Sequence, residues 1–473
     1  MSESGPDSTT TEKSQAPELR RFLTPKLLLL FIVGDILGTG VYALTGDVAA
    51  EVGGAAWLPF ILAFVIATMT AFSYLELVTK YPQAAGAALY THKAFGIHFL
   101  TFLVAFTVMS SGITSASTAS RLVARSVDQG FDLSLGTTGI LLVALAFILL
   151  LALVNLRGVA QGVLTNVVLT TIELTGLLLV ILVGIWAMTQ GDADFSRVVA
   201  FDTPEDKNVF LAVTTATSLA FFAMVGFEDA VNMAEETKDP IRTFPRIMLT
   251  GLSITGLIYV LVSITAVALV PIGELGASET PLLTVVERGA PDVPIDKIYP
   301  FITMFAVANT ALINMLMASR LIYGMAKQRV LPPALAHVGA RRQTPWVAIL
   351  FTTAIACGLI TYVFSASDDA ITTLGGTTAL LLLGVFTIVN VAVLVLRRDP
   401  VDENHFVTPT AVPIVGGAAS LYLVTPLSGR PAEQYEVAGL LLAVGVVLWA
   451  ITWVVNRAVY GAKTYVKDPG ELE

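Results

Sequence analysis

The sequence is short of charge, of cysteine and of histidine. Charged residues make up 13% of its 473 residues and hydrophobic residues 55%, whereas a soluble protein carries roughly 25% charged residues. So little charge excludes a cytosolic enzyme, a nucleic-acid-binding protein and a disordered chain. One cysteine, Cys357, excludes an intrachain disulfide and a cysteine-based metal centre, and the four histidines lack metal-ligand spacing. The composition therefore indicates a protein with several membrane spans and predicts neither a cofactor nor a metal site.

Long apolar runs account for most of the chain. A helix needs about 20 such residues to cross the hydrocarbon core of a bilayer. The runs predict an all-α integral membrane protein of twelve spans, near residues 27–46, 55–79, 98–124, 138–156, 164–189, 209–233, 244–270, 297–325, 345–364, 370–396, 411–428 and 435–457. An even number of spans places both termini on the same side of the membrane.

The basic residues predict the orientation of these spans. Of the 27 Lys and Arg residues, 20 fall on the side that holds the termini and 7 on the other side. Lys and Arg are retained preferentially in cytoplasmic segments. We therefore expect a multi-pass protein of the plasma membrane with both termini in the cytoplasm.

Glycines interrupt the first span. It reads LLLLFIVGDILGTGVYALTG, with Gly38, Thr39 and Gly40 at its centre. Glycine allows the backbone to leave the helix, and irregular backbone is tolerated in a membrane only where it lines a cavity or is buried in protein. Free amides at the start of the second half-helix would suit a carboxylate. Close packing of helices through small residues is the alternative interpretation.

The sixth span carries a matching interruption. It reads TSLAFFAMVGFEDAVNMAEETKDP, with Gly226 followed by Glu228 and Asp229. Interrupted spans at corresponding places in two halves of a chain indicate a transporter site. Carbonyls of the first half-helix could hold an ammonium group, while the amides of the first span hold a carboxylate. Together the two breaks predict a site for a zwitterionic α-amino acid.

At this point the motifs resemble a known family. GDILGTGVYALTG, FSYLELVTKYPQAAGAALYTHKAFG, FFAMVGFEDAVNMAEETKDPIRTFPRIM, SRLIYGMAKQRVLPPALAHVGARRQTPWVAIL and LGGTTALLLLGVFTIVNVAVLVLRR occur in order. Together they resemble the amino acid–polyamine–organocation superfamily of secondary transporters, and most closely the bacterial permeases similar to cationic amino acid transporters. The resemblance covers roughly residues 20–400.

The resemblance implies a LeuT-like fold, in which ten core helices form a five-plus-five inverted repeat with broken first and sixth helices. The expected organisation is a disordered cytoplasmic tail (1–22), a ten-helix core (23–400, with repeats at about 27–189 and 209–397), two additional spans (401–460) and a C-terminal cytoplasmic tail (461–473).

The resemblance also implies substrate-binding residues. The backbone amides of Gly38, Thr39 and Gly40 would bind the substrate carboxylate. The sixth span would supply the remaining substrate-binding residues, with carbonyls for the amine at Phe221, Ala223 and Val225, the interrupting glycine at Gly226, and aromatic rings near the substrate at Phe222 and Phe227. Phe222 is a candidate gate, and packing in the core is the alternative for both aromatics.

Five carboxylates lie in or beside the spans, at Asp35, Glu76, Glu173, Glu228 and Asp229. Each costs ~2.5–3.5 kcal/mol at the centre of a helix in a bilayer. Glu76 is interpreted as structural, and Glu228 and Asp229 could cap a half-helix. Glu173 stands where several related transporters have a lysine linked to proton coupling, so that lysine mechanism does not transfer. The hypothesis is that Asp35 and Glu173, with Glu228 as a further candidate, bind a proton or a cationic group.

Three further spans carry polar residues in apolar surroundings. They are the Ser/Thr-rich stretch 110–120 of the third span, Asn309 and Asn314 of the eighth, and Gly375 to Thr378 of the tenth. Each could line a pathway or pack between helices.

The sequence therefore predicts a secondary transporter of amino acids, a proton-coupled symporter that works by alternating access. Its expected partners are an amino acid or amine substrate, protons and the lipid bilayer, with no nucleic acid. A polyamine or organic-cation transporter and an amino acid exchanger of the same fold are the alternatives, and a transporter-like sensor is a further one. A membrane enzyme would need clustered His, Asp or Glu at an interface, which the sequence lacks.

Overall fold

The chain is described from a computed structural model that covers residues 23–83, 86–157, 162–234, 236–339, 344–366, 369–399 and 404–459. The predicted tails 1–22 and 461–473 lie outside these described residues. Within them the secondary structure is helical. The helices are α1 (Pro25–Val52), α2 (Trp57–Lys80), α3 (Gly86–Phe95), α4 (His98–Phe131), α5 (Thr137–Arg157), α6 (Gly162–Gln190), α7 (Phe195–Val198), α8 (Val209–Ala220), α9 (Pro240–Leu269), α10 (Ile272–Ala277), α11 (Pro281–Gly289), α12 (Tyr299–Lys327), α13 (Trp346–Ala366), α14 (Ala370–Leu396), α15 (Ala411–Val424) and α16 (Ala432–Val459).

The apolar runs become helices long enough to cross a bilayer. Eleven segments of the described residues have the length and hydropathy of a membrane span, and α15 is a shorter apolar helix of 14 residues. The sixth of these segments, Val209–Met233, contains α8 and the irregular chain that follows it. This arrangement agrees with the predicted fold of twelve spans with a LeuT-like architecture.

Twelve crossings return the chain to the side from which it started. We call the side of residues 25 and 459 the terminal side and the opposite side the distal side. Residues 191–208 and the short helices α10 and α11 lie on the distal side.

The core of the protein surrounds α1. This helix is buried over most of its length, from Ile32 to Ala49 with few exceptions, and it packs against α6, α8, α9, α10 and α12. Helices such as α5 and α16 instead expose many apolar side chains, including Leu142 and Val447. Such residues face lipid at no cost, so burial distinguishes the helices that build the site from those that surround it.

Candidate functional site

The first break lies inside α1. Gly38 has φ −10° and ψ −154°, a non-helical conformation between two helical halves. Thr39 and Gly40 follow it directly and are buried. The predicted break of the first span is therefore present at the predicted residue.

The second break is longer. Helix α8 ends at Ala220, a 3-10 turn covers Phe221–Met224, and Val225 is extended at φ −78° and ψ 147°. Gly226 has φ +124°, a conformation that a side chain rarely permits. A second 3-10 turn covers Asp229–Met233. The Gly226 amide donates to Glu228 Oε2 at 2.9 Å, so Glu228 caps the break itself, whereas the half-helix whose dipole it was expected to cap is a 3-10 turn.

The two breaks contact each other through their backbones. An ideal Cβ at Gly40 would lie 2.4 Å from Ala223 Cα, and one at Gly226 would lie 2.8 Å from the carbonyl oxygen of Asp35. Neither distance leaves space for a methyl group. Tyr259 of α9 donates its hydroxyl to the carbonyl of Ile36 at 2.5 Å, which satisfies a backbone group close to the first break.

A cavity lies beside the two breaks. Of the residues predicted for the site, its wall contains Asp35, Gly38, Thr39, Gly40, Phe222, Val225, Gly226 and Glu228, and Asp229 joins them. Its open interior measures about 30 Å³, which is room for about two water molecules. A bound amino acid therefore requires movement of the wall.

Three of the residues predicted to bind substrate lie away from this wall. Phe221 and Phe227 are fully buried and pack against the ring of Phe386, with centroid distances of 5.9 and 5.3 Å. Ala223 lies against Gly40. For these aromatics the structure favours core packing, and Phe222 is the aromatic residue of the sixth span that reaches the cavity.

Helices α4, α12 and α14 complete the wall. They contribute Val108, Ser111, Gly112, Ser115, Thr310, Asn314, Met317, Ala318, Leu321, Thr378 and Leu382. The α4 members recur at helical spacing, and the α12 members do the same, so each set lies on one face of its helix. Asn314 Nδ2 donates to Ser115 Oγ at 3.3 Å. The sequence shows polar residues in these three spans, but it does not show which face of each helix is directed towards the cavity.

The cavity wall is acidic. Asp35, Glu228 and Asp229 all line it, and its lining residues include no Lys, Arg or His. Asp35 interacts electrostatically with Asp229, Glu228 and Glu173, most strongly with Asp229 and least with Glu173. Among the residues that the structure describes, no hydrogen-bond partner is present for the buried atoms Asp35 Oδ2, Thr39 Oγ1 and Thr310 Oγ1. Such groups are costly to bury unpaired, so the wall suits a ligand that carries positive charge and hydrogen-bond donors.

Glu173 lies outside the wall of the cavity. It is fully buried in α6, and neither of its carboxylate oxygens has a hydrogen-bond partner within the described part of the chain. Its backbone carbonyl accepts a hydrogen bond of 3.0 Å from the hydroxyl of Tyr42. Its pairing with Asp35 stays a prediction.

Ion pairs join the helices at both ends of the molecule. On the distal side Glu279, between α10 and α11, accepts from Arg121 at 3.2 Å and from Arg125 at 2.5 Å. Burial raises the pKa of Glu279, but the hydrogen bonds from the two arginines outweigh this and hold that pKa below its ordinary value. On the terminal side Arg397 donates to both oxygens of Glu76 at 2.8 Å. Glu76 thus has the structural role that was interpreted from its place in the sequence.

The chain is similar to known proteins over most of its length. The sequence model of the family described as "Amino acid permease" matches residues 23–456. The methylthioribose transporter of Bacillus subtilis (strain 168) is 27% identical over 445 residues, which is 90% of this chain and 92% of that protein. The branched-chain amino acid permease BcaP of the same organism is 23% identical over 437 residues, 88% of each chain.

A plant relative has a different named substrate class. The chloroplastic cationic amino acid transporter 9 of Arabidopsis thaliana is 29% identical over 357 residues, which cover 70% of this chain and 60% of that protein. The three relatives are thus named for methylthioribose, for branched-chain amino acids and for cationic amino acids. These similarities therefore indicate transport and do not agree on one substrate.

Proposed function

The chain belongs to the amino acid permease family, and from that premise we propose that it is a secondary active transporter of amino acids that works by alternating access, as a proton-coupled symporter in the plasma membrane. The observation that carries this proposal is the contact between two broken spans beside a buried cavity. The amides near Gly38 to Gly40 would hold the substrate carboxylate, and the carbonyls near Val225 would hold its amine. Both termini would lie in the cytoplasm.

Flux in proteoliposomes tests the transport activity. Purified protein is reconstituted and offered labelled leucine, lysine, arginine, methylthioribose and putrescine, with uptake compared to empty vesicles. We expect saturable uptake of at least one amino acid. Binding of amino acids without any flux would contradict the proposal, and flux of methylthioribose alone would assign a different substrate to the same fold.

The acidic wall favours a substrate with a cationic side chain as a second candidate. Three carboxylates and no basic residue line the cavity, so the single ammonium group of a neutral amino acid compensates only part of the charge. A cationic amino acid or a polyamine would compensate more of it. In competition assays lysine should then displace a bound amino acid better than leucine does. Asp229→Asn should bring the inhibition constants of lysine and leucine closer together, since it removes one negative charge from the cavity wall and keeps the shape of the side chain.

Proton coupling is proposed for the buried carboxylates. Glu173 and Asp35 Oδ2 lack hydrogen-bond partners, and an unpaired carboxylate costs several kcal/mol in such surroundings, so each requires a proton or a cation. Uptake is measured across pH for Asp35→Asn and Glu173→Gln, with Glu287→Gln as a control outside the spans. We expect the pH dependence to flatten in at least one of the two variants. Unchanged profiles in both would overturn the assignment.

A further inference from the structure

A buried arginine lies between the last two helices. Arg430 belongs to the linker that joins α15 to α16 and is 5% exposed. It donates from Nε to the Leu423 carbonyl at 3.2 Å, from Nη1 to the Gly376 carbonyl at 2.7 Å and to Gln434 Oε1 at 2.6 Å, and from Nη2 to the Ser218 carbonyl at 3.4 Å. These acceptors are all neutral, and burial lowers the pKa of Arg430 to about 10. An arginine in such a place has been buried at a cost, which its contacts must offset.

One of these contacts is near the C-terminal end of α8, the distal half of the broken sixth span. Ser218 lies two residues before the last residue of α8, Ala220. The last carbonyls of a helix lack partners within the helix and carry partial negative charge. Arg430 therefore stabilises α8 directly before the turn that supplies Phe222 to the cavity. The linker also lies along this helix, because the Ser428 carbonyl accepts from the hydroxyls of Thr214 and Thr215 at 3.2 and 3.0 Å.

Another of these contacts is on α14, at the Gly376 carbonyl. An ideal Cβ at Gly376 would lie 2.0 Å from Gln434 Nε2, so the side chain of Gln434, at the start of α16, rests directly on that glycine. At the adjacent Gly375 the nearest atom is Phe222 Cδ1, at 3.1 Å from an ideal Cβ. Helix α14 is therefore held between Arg430 and Gln434 on one face and Phe222 on another, with no side chain at either glycine to separate them.

We propose that Arg430 and Gln434 are positioning residues that hold α8 and α14 together around Phe222, so that the linker of the last two helices controls how readily the cavity opens to the distal side. This inference rests on the proposed function for its meaning in transport. It gives the two spans outside the ten-helix core a part in gating, through contacts with backbone carbonyls of α8 and α14.

Chemical labelling of a cavity cysteine tests this inference without requiring transport. Cys357→Ala removes the chain's one cysteine, and Ser111→Cys then places a thiol in the cavity wall. Intact cells are treated with a membrane-impermeant cationic methanethiosulfonate. We expect Arg430→Gln to raise the labelling rate on the order of tenfold, because hydrogen bonds from a charged group are worth about that factor in an equilibrium. Arg430→Lys keeps the positive charge but not the planar array of donors. Its labelling rate should lie between those of the parent and of Arg430→Gln.

Three further variants define the outcomes. Arg288→Gln removes a half-exposed distal arginine and should leave the labelling rate unchanged. Asp292→Cys, at an exposed distal position, reports whether the distal side faces outwards, so a wrong orientation is detected separately from a wrong gating role. Gln434→Ala carries the test if Arg430→Gln does not fold. Labelling rates equal to the parent in every folded variant of these two positions would overturn the proposal, and faster labelling with or without detectable transport would support it.

Discussion

The two broken spans both interrupt their helix beside the cavity, but their backbones do so in different ways. In α1 the departure from helical geometry is confined to Gly38, and the helix continues on both sides from Pro25 to Val52. In the sixth span the α-helix ends at Ala220, and two 3-10 turns follow up to Met233, separated by extended backbone at Val225 and a positive φ at Gly226. The first break is a kink in a helix that stays buried on all sides. The second is a non-helical stretch of backbone, in which the amide of Gly226 takes a side chain as its hydrogen-bond acceptor.

From this difference we infer that the backbone of the sixth span rearranges more readily than that of α1. A kink held by tight packing has one arrangement, whereas a stretch of turns capped by a side chain can rearrange when its cap is lost. Gly226 takes its amide partner from Glu228, two residues further along the chain. We therefore expect substitutions at the second break to disturb transport more than those at Gly38. The variants below test that ordering, with Gly384→Ala as a common control, because a Cβ at that α14 position meets no atom within 4 Å.

Gly226→Ala should have the largest effect. The residue has φ +124°, and a Cβ would lie 2.8 Å from backbone atoms of Asp35, which cannot rotate away. The conformation costs roughly 1–3 kcal/mol and the clash a similar amount. Uptake should fall below detection, and the thermal midpoint of the purified protein should fall clearly relative to Gly384→Ala. Uptake close to that of the control would remove the second break from the mechanism.

Gly40→Ala should follow, because it separates the two breaks without straining its own backbone. Its Cβ would lie 2.4 Å from Ala223 Cα, and overpacking of this kind costs roughly 1–3 kcal/mol. We expect at least about a tenfold loss of uptake. The apparent substrate affinity should weaken as well, since carboxylate and amine partners move apart. A loss of maximal rate at unchanged affinity would place the effect on gating instead.

Glu228→Ala should reduce uptake and thermal stability by an amount between those of Gly40→Ala and Gly38→Ala. It leaves the Gly226 amide buried without an acceptor, at a cost of roughly 1–3 kcal/mol. Glu228→Gln keeps an acceptor and should recover most of the lost thermal stability while it alters the charge of the cavity. If both variants lose stability equally, the carboxylate charge matters more than the hydrogen bond, and the capping role is wrong.

The sequence predicted the helices, both breaks and eight of the wall residues, because glycines and carboxylates inside apolar runs have few structural reasons to occur there. It placed Phe222 near the substrate, but it did not predict that Phe221 and Phe227 pack on Phe386 and lie away from the cavity that Phe222 reaches. The direction of each of these side chains depends on the local geometry of the 3-10 turn and its neighbours. A run of apolar residues in the sequence does not predict that geometry. The clamp of Arg430 on carbonyls of α8 and α14 was equally hidden, since backbone acceptors have no signature in the sequence.

Gly38→Ala should have the smallest effect of the series and tests whether the first break is a packing feature. A Cβ there would lie 2.6 Å from Thr310 Oγ1 and 3.1 Å from Thr310 Cγ2, so the obstacle is a side chain that can turn or be removed. Uptake should fall by a few-fold, and Thr310→Ala in the same chain should restore part of it, with Thr310→Ala alone measured as the reference. Such rescue would mean that the kink depends on the fit between α1 and α12. Failure of the second substitution to restore any uptake would mean that Gly38 is required by its own backbone, and the two breaks would then be equivalent hinges.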